Sequence, residues 1–255
     1  LYRSTSGFDS NDSTSSNISV DNFSYDDDNV QKLKIGLPFN IQNQENINNE
    51  VVDYYLSSID FLKNKGFEIV EFDMESLKYA VSVYYVLSTA EAASNLSRFD
   101  GIRYGFSNRK KDFESIYFDT KTEGFGEEVK RRIILGTYVL SSGYYDQFYS
   151  KAQKVRKIIK DELESCFKEV DLLFLPTTPE LPYSINEKKG DPLSMYLGDS
   201  FTVPMNLSGI PAINVPMGKS KSGLPIGMQF SSNRFNENKL FSICSFLQNH
   251  NKVTV

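Results

Sequence analysis

Leu172-Leu-Phe-Leu175 is the segment that most restricts how this chain can fold. Four consecutive apolar residues, introduced by Asp171 and ended by Pro176 and Pro179, make a strand with no polar face to turn toward water. Such a run belongs inside a sheet that is covered on both sides. An upstream stretch agrees. Lys34-Ile-Gly-Leu37 is a short strand stopped by Pro38, and Val51, Val52, Tyr55, Ile59 and Leu62 then recur at helical spacing between about Asn48 and Lys65. Gly66 suits the C-cap of that helix, and Phe67 to Phe72 alternates as the next strand. Strand, helix and strand in this order predict a parallel, right-handed βαβ unit, the local element of an α/β sheet.

The remaining segments fill out that class. Residues 1–32 are rich in Ser, Asp and Asn, end near the charge run Asp26-Asp27-Asp28, and read as an exposed loop or connector. Met74 to about Phe99 is helical in pattern, and 101–122 reads as a loop with a short helical piece. A long helical region follows to about Val170, broken near Gly143. Val155, Ile158, Ile159, Leu163, Cys166, Phe167 and Val170 lie on one side of its later half. Lys151, Lys154, Lys157 and Lys160 lie on the other as a solvated face. Asp191-Pro192 starts a helical turn with proline in its favoured first position. Ala212 to Val215 and Ile226 to Phe230 are short strands, and Asn236 to Gln248 is an amphipathic closing helix.

Several chemistries are excluded by what the sequence holds. Its single histidine, His250, stands between Asn249 and Asn251 with no serine or cysteine elbow to serve. Two cysteines and one histidine give no clustered zinc spacing, and no Walker loop or dinucleotide fingerprint occurs. Cys166 and Cys244 both fall in helical apolar patterns and read as buried free thiols, which favours a reducing compartment. With 28 basic and 33 acidic residues, the net charge of −5 argues against a broad nucleic-acid surface. No run approaches the roughly 18 apolar residues of a membrane span.

The segment Glu123-Gly-Phe-Gly-Glu-Glu-Val-Lys-Arg-Arg132 opens a helix whose acidic start, Glu127 and Glu128, suits the positive end of the helix dipole. Arg131 is spaced to pair with Glu127 on the solvated side. Arg132 lies nearer the apolar side, three residues after Val129 and beside Ile133. Three readings fit it: a stem laid over the core, a pair with Glu128, or a two-bond grip on a carboxylate inside a cleft. Taken alone, Asp199 reads as a cap or loop aspartate ahead of Ser200, and Tyr84 as a core aromatic. Glu91, Asn95 and Arg98 share one helical face as structural or interface residues. Ser141-Ser142-Gly143 sits in a helical, Tyr-rich run and is not a nucleophile signature.

This segment is accompanied, in one order, by Asp12-Ser-Thr-Ser15, Leu33-Lys-Ile-Gly-Leu-Pro38, the stretches 90–105 and 191–199, Pro204-Met-Asn-Leu-Ser-Gly-Ile-Pro-Ala-Ile-Asn-Val-Pro216 and Gly223-Leu-Pro-Ile-Gly-Met-Gln229. From about Asp12 to the C-terminus the chain resembles the amidase signature family, and within it the A subunits of glutamyl-tRNA(Gln) amidotransferases. The resemblance implies an α/β fold with a mixed sheet flanked by helices, the C-terminal portion of an amidase signature domain. Residues 1–32 are then a connector and 33–255 the α/β core.

The same resemblance implies a glutamine pocket in which Arg132 holds the α-carboxylate, Asp199 the α-ammonium, and Tyr84 lines the wall. Glutamine hydrolysis in the family uses a serine nucleophile, a second serine and a lysine base from segments with no counterpart here. The expectation is therefore a C-terminal half without catalytic residues, inactive alone. No cofactor or metal is implied in this chain. ATP, Mg2+ and most tRNA contacts are implied for the B subunit, with the B and C subunits as partners, no membrane, and a bacterial cytoplasm or organellar matrix as the location. Two other functions fit less closely: a stand-alone amidase signature hydrolase of a different amide, and a non-catalytic scaffold.

Overall fold

A computed structural model of the protein describes residues 2–18, 29–38, 41, 46–108, 112–185, 187 and 192–250. The Asp26-Asp27-Asp28 run and Asp191 lie outside them. The chain forms two compact units, one made of residues up to Lys78 together with those from Ile159 onward, the other of Tyr79–Ile158.

The first unit contains β1 (Lys34–Leu37), β2 (Glu68–Glu71), β3 (Leu172–Pro176), β4 (Ala212–Lys219) and β5 (Pro225–Ser232), arranged β2-β1-β3-β5-β4. β1 runs parallel to β2 and β3, whereas β5 runs antiparallel to β3 and β4. This is the mixed sheet expected from the sequence. The apolar run forms the central strand β3, and every residue in it is buried. Side chains alternate across a strand, so Leu172 and Phe174 serve one face while Leu173 and Leu175 serve the other.

Helix α2 (Asn49–Asn64) joins β1 to β2. Asn48 caps it by accepting the Glu50 amide, and Gly66 follows it with φ of 93°. Val51, Tyr55, Ile59 and Leu62 are buried, as their spacing predicts. Tyr55 stacks on Phe174 with ring centroids 5.2 Å apart and donates its hydroxyl to the Phe174 carbonyl at 3.3 Å. Phe174 meets its register partner Phe230 at 4.6 Å. Helix α9 (Glu237–Asn249) adds Leu240, Ile243, Phe246 and Leu247 to the same core.

Asp171, just before β3, ties three elements together. Its carboxylate accepts the Lys34 amide at 2.9 Å and pairs with Lys239 at 2.5 Å. Partial burial raises its pKa, but the hydrogen bonds from Lys239 and Lys34 and the charges of both lysines outweigh this, so the net shift is downward. A depressed carboxylate pKa stabilises the fold above the unfolded value of about 3.9, and that contribution disappears as pH falls through the folded value. Asp171→Asn is therefore expected to lower the urea midpoint at pH 7 and to narrow its gap to the parent as pH drops below about 4. A gap independent of pH would show that packing, not charge, holds this corner.

Local differences from the sequence pattern have local causes. Within the stretch read as loop, α1 (Tyr2–Thr5) forms one helical turn, and its Tyr2 ring packs 5.6 Å from Phe241 of α9. Strands β4 and β5 outrun their predicted cores, because their hairpin pairing continues through a register shift between Pro216 and Gly218. Helix α7 spans Pro192–Leu197, and α8 spans Val203–Ser208 and ends at Gly209, whose φ of 66° suits glycine. Cys166 and Cys244 are both free, and burial pushes each thiol up to about 11.

The second unit is helical. It holds α3 (Ala80–Leu96), α4 (Phe113–Gly124), α5 (Glu127–Leu140) and a π-helical turn at Tyr145–Ser150, which leads into α6 (Lys151–Cys166). Helix α4 is twelve residues long, more than the short piece expected, and Asp112 caps it by accepting the Ser115 amide. Gly143, with φ of 90°, sits at the predicted break. On α6, Lys151, Lys154 and Lys157 are exposed, but so is Ile158, which the pattern places inward. Among the described residues no helix is long and apolar enough to cross a membrane.

Candidate functional site

In the helical unit, the geometry around Arg132 is set by how closely α5 approaches α3. Gly136 of α5 is buried, and a Cβ there would stand 1.9 Å from the Thr89 carbonyl oxygen and 2.8 Å from Cβ of Ala93. Thr89 is buried and donates its hydroxyl to the Tyr85 carbonyl at 2.6 Å. One turn before Gly136 on α5 comes Arg132, and one turn before Thr89 on α3 comes Tyr85. The Arg132 guanidinium carbon lies 5.7 Å from the Tyr85 ring centroid, in range for a cation–π contact.

Arg132 is also held at its edge. Its Nε donates to Glu128 at 2.9 Å, while the other oxygen of Glu128 takes Nη1 of Arg131 at 2.5 Å. The pair with Glu128 anticipated for Arg132 is thus made. Arg131 departs from the pattern: it pairs with Glu128 at i,i+3, and Glu127 instead lies 3.8 Å from Lys130. Both spacings bring side chains together on a helix, and Glu128 sits between the two arginines' reach. The Arg132 side chain is 31% exposed against 43% for Arg131, consistent with its place nearer the apolar side.

Tyr84 is half-buried and meets Tyr85 edge-to-face at 5.2 Å. Of the tyrosine pair, Tyr85 is the one against Arg132. The resemblance had singled out Tyr84 from this doublet, and the contact of Arg132 with Tyr85 was not anticipated. Glu91 and Asn95 are exposed on α3, whereas Arg98, expected on the same helical face, is exposed just past the helix, which ends at Leu96. Ser141 ends α5 and donates its hydroxyl to the Tyr138 carbonyl at 2.7 Å, a capping role.

Asp199 belongs to the sheet-containing unit, in the turn between α7 and α8. It is half-buried, and its carbonyl accepts from the Thr202 amide and hydroxyl at 3.1 Å each and from the Val203 amide at 3.0 Å. Its main chain therefore supports the start of α8, a task that a side-chain cap would otherwise perform. Arg132 and Tyr84 lie in one unit and Asp199 in the other. Among the described residues no group of three or more His, Cys, Asp or Glu side chains could hold a metal ion.

The chain matches the family model described as Amidase over residues 1–241. It is 45% identical over 250 residues to the glutamyl-tRNA(Gln) amidotransferase A subunit of Prosthecochloris aestuarii, covering 97% of this chain and 52% of the relative. The A subunit of the same enzyme from Pelagibacter ubique is 42% identical over 259 residues, covering 100% and 53%. The crystal structure of the glutamyl-tRNA(Gln) amidotransferase A subunit from Thermotoga maritima superposes with a TM-score of 0.73 at 36% identity, covering 95% of this chain and 48% of that one. The chain thus spans about half the length of the relatives it matches.

Proposed function

From the premise that the chain belongs to the amidase family, we propose that it carries the glutamine-binding half of the glutaminase subunit of an aminoacyl-tRNA amidotransferase. The observation that carries this reading is the two-sided hold on Arg132, with Glu128 at the Nε edge and Tyr85 against the guanidinium. An arginine fixed in this way is pre-oriented for the planar, two-bond recognition of an α-carboxylate. Asp199 is proposed to accept the α-ammonium, and Tyr84 to line the pocket.

Ammonia release itself would use a serine nucleophile and lysine base from the part of the relatives' length that this chain does not span. The ammonia would then serve a B subunit that activates glutamyl-tRNA(Gln) with ATP and Mg2+, in an assembly completed by a C subunit. A bacterial cytoplasm or an organellar matrix is the setting that fits.

An amide panel tests the reading. The complete gene product is expected to hydrolyse glutamine with a kcat/KM about a hundredfold or more above that for alkyl and aryl amides, because those lack the carboxylate and ammonium that Arg132 and Asp199 are proposed to recognise. The 255-residue chain alone is expected to release no ammonia, since loss of nucleophile and base typically costs a factor of about 10⁴ or more. A preference for an aryl amide would instead favour a stand-alone hydrolase.

A further inference from the structure

Two residues on one face of β5 hold the segment that begins at Asp199. Gln229 is 5% exposed, and its Nε2 donates to the Phe201 carbonyl at 3.0 Å. Ser231, two residues on and fully buried, places its hydroxyl 3.3 Å from the Met205 sulfur. Just past the strand, Arg234 donates Nε to the Gly209 carbonyl at 3.1 Å and Nη2 to that of Ser208. The sheet therefore grips α8 from its approach to its end. Asp199 is bound to the same segment through its own carbonyl, which takes three hydrogen bonds from Thr202 and Val203.

A buried carboxamide is costly unless its polar groups are used. Leu175, the register partner of Gln229, is apolar and buried, so burial at this position does not call for a polar side chain. The hydrogen bond to Phe201, two residues past Asp199, is what the carboxamide adds. We infer that Gln229 is a positioning residue for Asp199, and that it thereby sets how strongly the protein selects amides bearing an α-ammonium group. This rests on the proposed role of Asp199.

The test compares glutamine with 4-carbamoylbutanoate, the same amide without the α-amine, as a ratio of kcat/KM values in the complete gene product. That ratio does not depend on the fraction of protein folded, so a purely structural role for Gln229 leaves it unmoved. Asp199→Asn is expected to lower it about a hundredfold. Gln229→Met, which keeps the volume but removes the donor, is expected to lower it about tenfold or more, because small misplacements of a binding group are costly. Thr202→Val, which removes one bond to the Asp199 carbonyl, moves it less but in the same direction. A ratio that collapses in Asp199→Asn and is unchanged in Gln229→Met overturns the positioning role alone. A ratio unchanged in Asp199→Asn removes the premise, and the inference with it. If Gln229→Met does not fold, Gln229→Leu, which also removes the donor to the Phe201 carbonyl, decides: a fall in the ratio supports the inference, and an unchanged ratio overturns it.

Discussion

Arg132→Ala in the complete gene product is expected to cost about 2–5 kcal/mol in glutamine-dependent kcat/KM, because in the proposed pocket a substrate carboxylate then loses its charged partner. Glu128 and Tyr85 hold the parent guanidinium at edge and face, so the loss is of an oriented group and not of a mobile charge. Arg132→Lys is expected to recover only part of it, since an ammonium cannot supply two parallel hydrogen bonds. Arg131→Ala removes a more exposed partner of the same Glu128 and is expected to cost less than about 1 kcal/mol. Ammonia supplied directly would bypass the proposed glutamine pocket, so ammonia-dependent amidation by the proposed assembly with the B and C subunits should survive in all three variants. Steady-state kinetics with both nitrogen donors is the measurement. Equal damage from Arg131→Ala, or equal loss with ammonia, would make Arg132 a structural residue.

Gly136→Ala is expected to be the most destabilising small substitution in the helical unit, by about 3 kcal/mol, the upper end of typical overpacking costs. Two effects compete. Replacing glycine by alanine inside a helix favours helix formation by about 1 kcal/mol. Against this, the new methyl would sit 1.9 Å from a main-chain oxygen, where an ordinary C···O contact is about 3.3–3.6 Å. A flexible side chain could step aside, but the Thr89 carbonyl belongs to the α3 backbone, so the helices themselves must separate. The clash wins. Separation also pulls Arg132 from Tyr85, one turn away on each helix, so glutamine KM should rise together with the fall in thermal midpoint. A variant as stable as the parent would show that α3 and α5 have slack at this crossing.

The sequence by itself determined the elements whose signal is carried by consecutive residues. β3 is legible because four apolar neighbours leave no face for water, and α2 because Asn48, the buried spacing from Val51 to Leu62 and Gly66 mark its start, face and end. Arg132 stood out for a related reason: a cation beside an apolar stripe needs a partner, and the helix offers few. What it could not contain was information held between distant segments. The turn at Tyr2–Thr5 packs against Phe241, the extension of β4 and β5 depends on their pairing with each other, and the contact of Arg132 with Tyr85 depends on the close approach of α5 to α3 at Gly136. Gln229 shows the same division. Its place in a strand could be read along the chain, but its carboxamide finds Phe201 across 28 residues, and a hydrogen bond of that span is decided only when the tertiary fold brings donor and acceptor together.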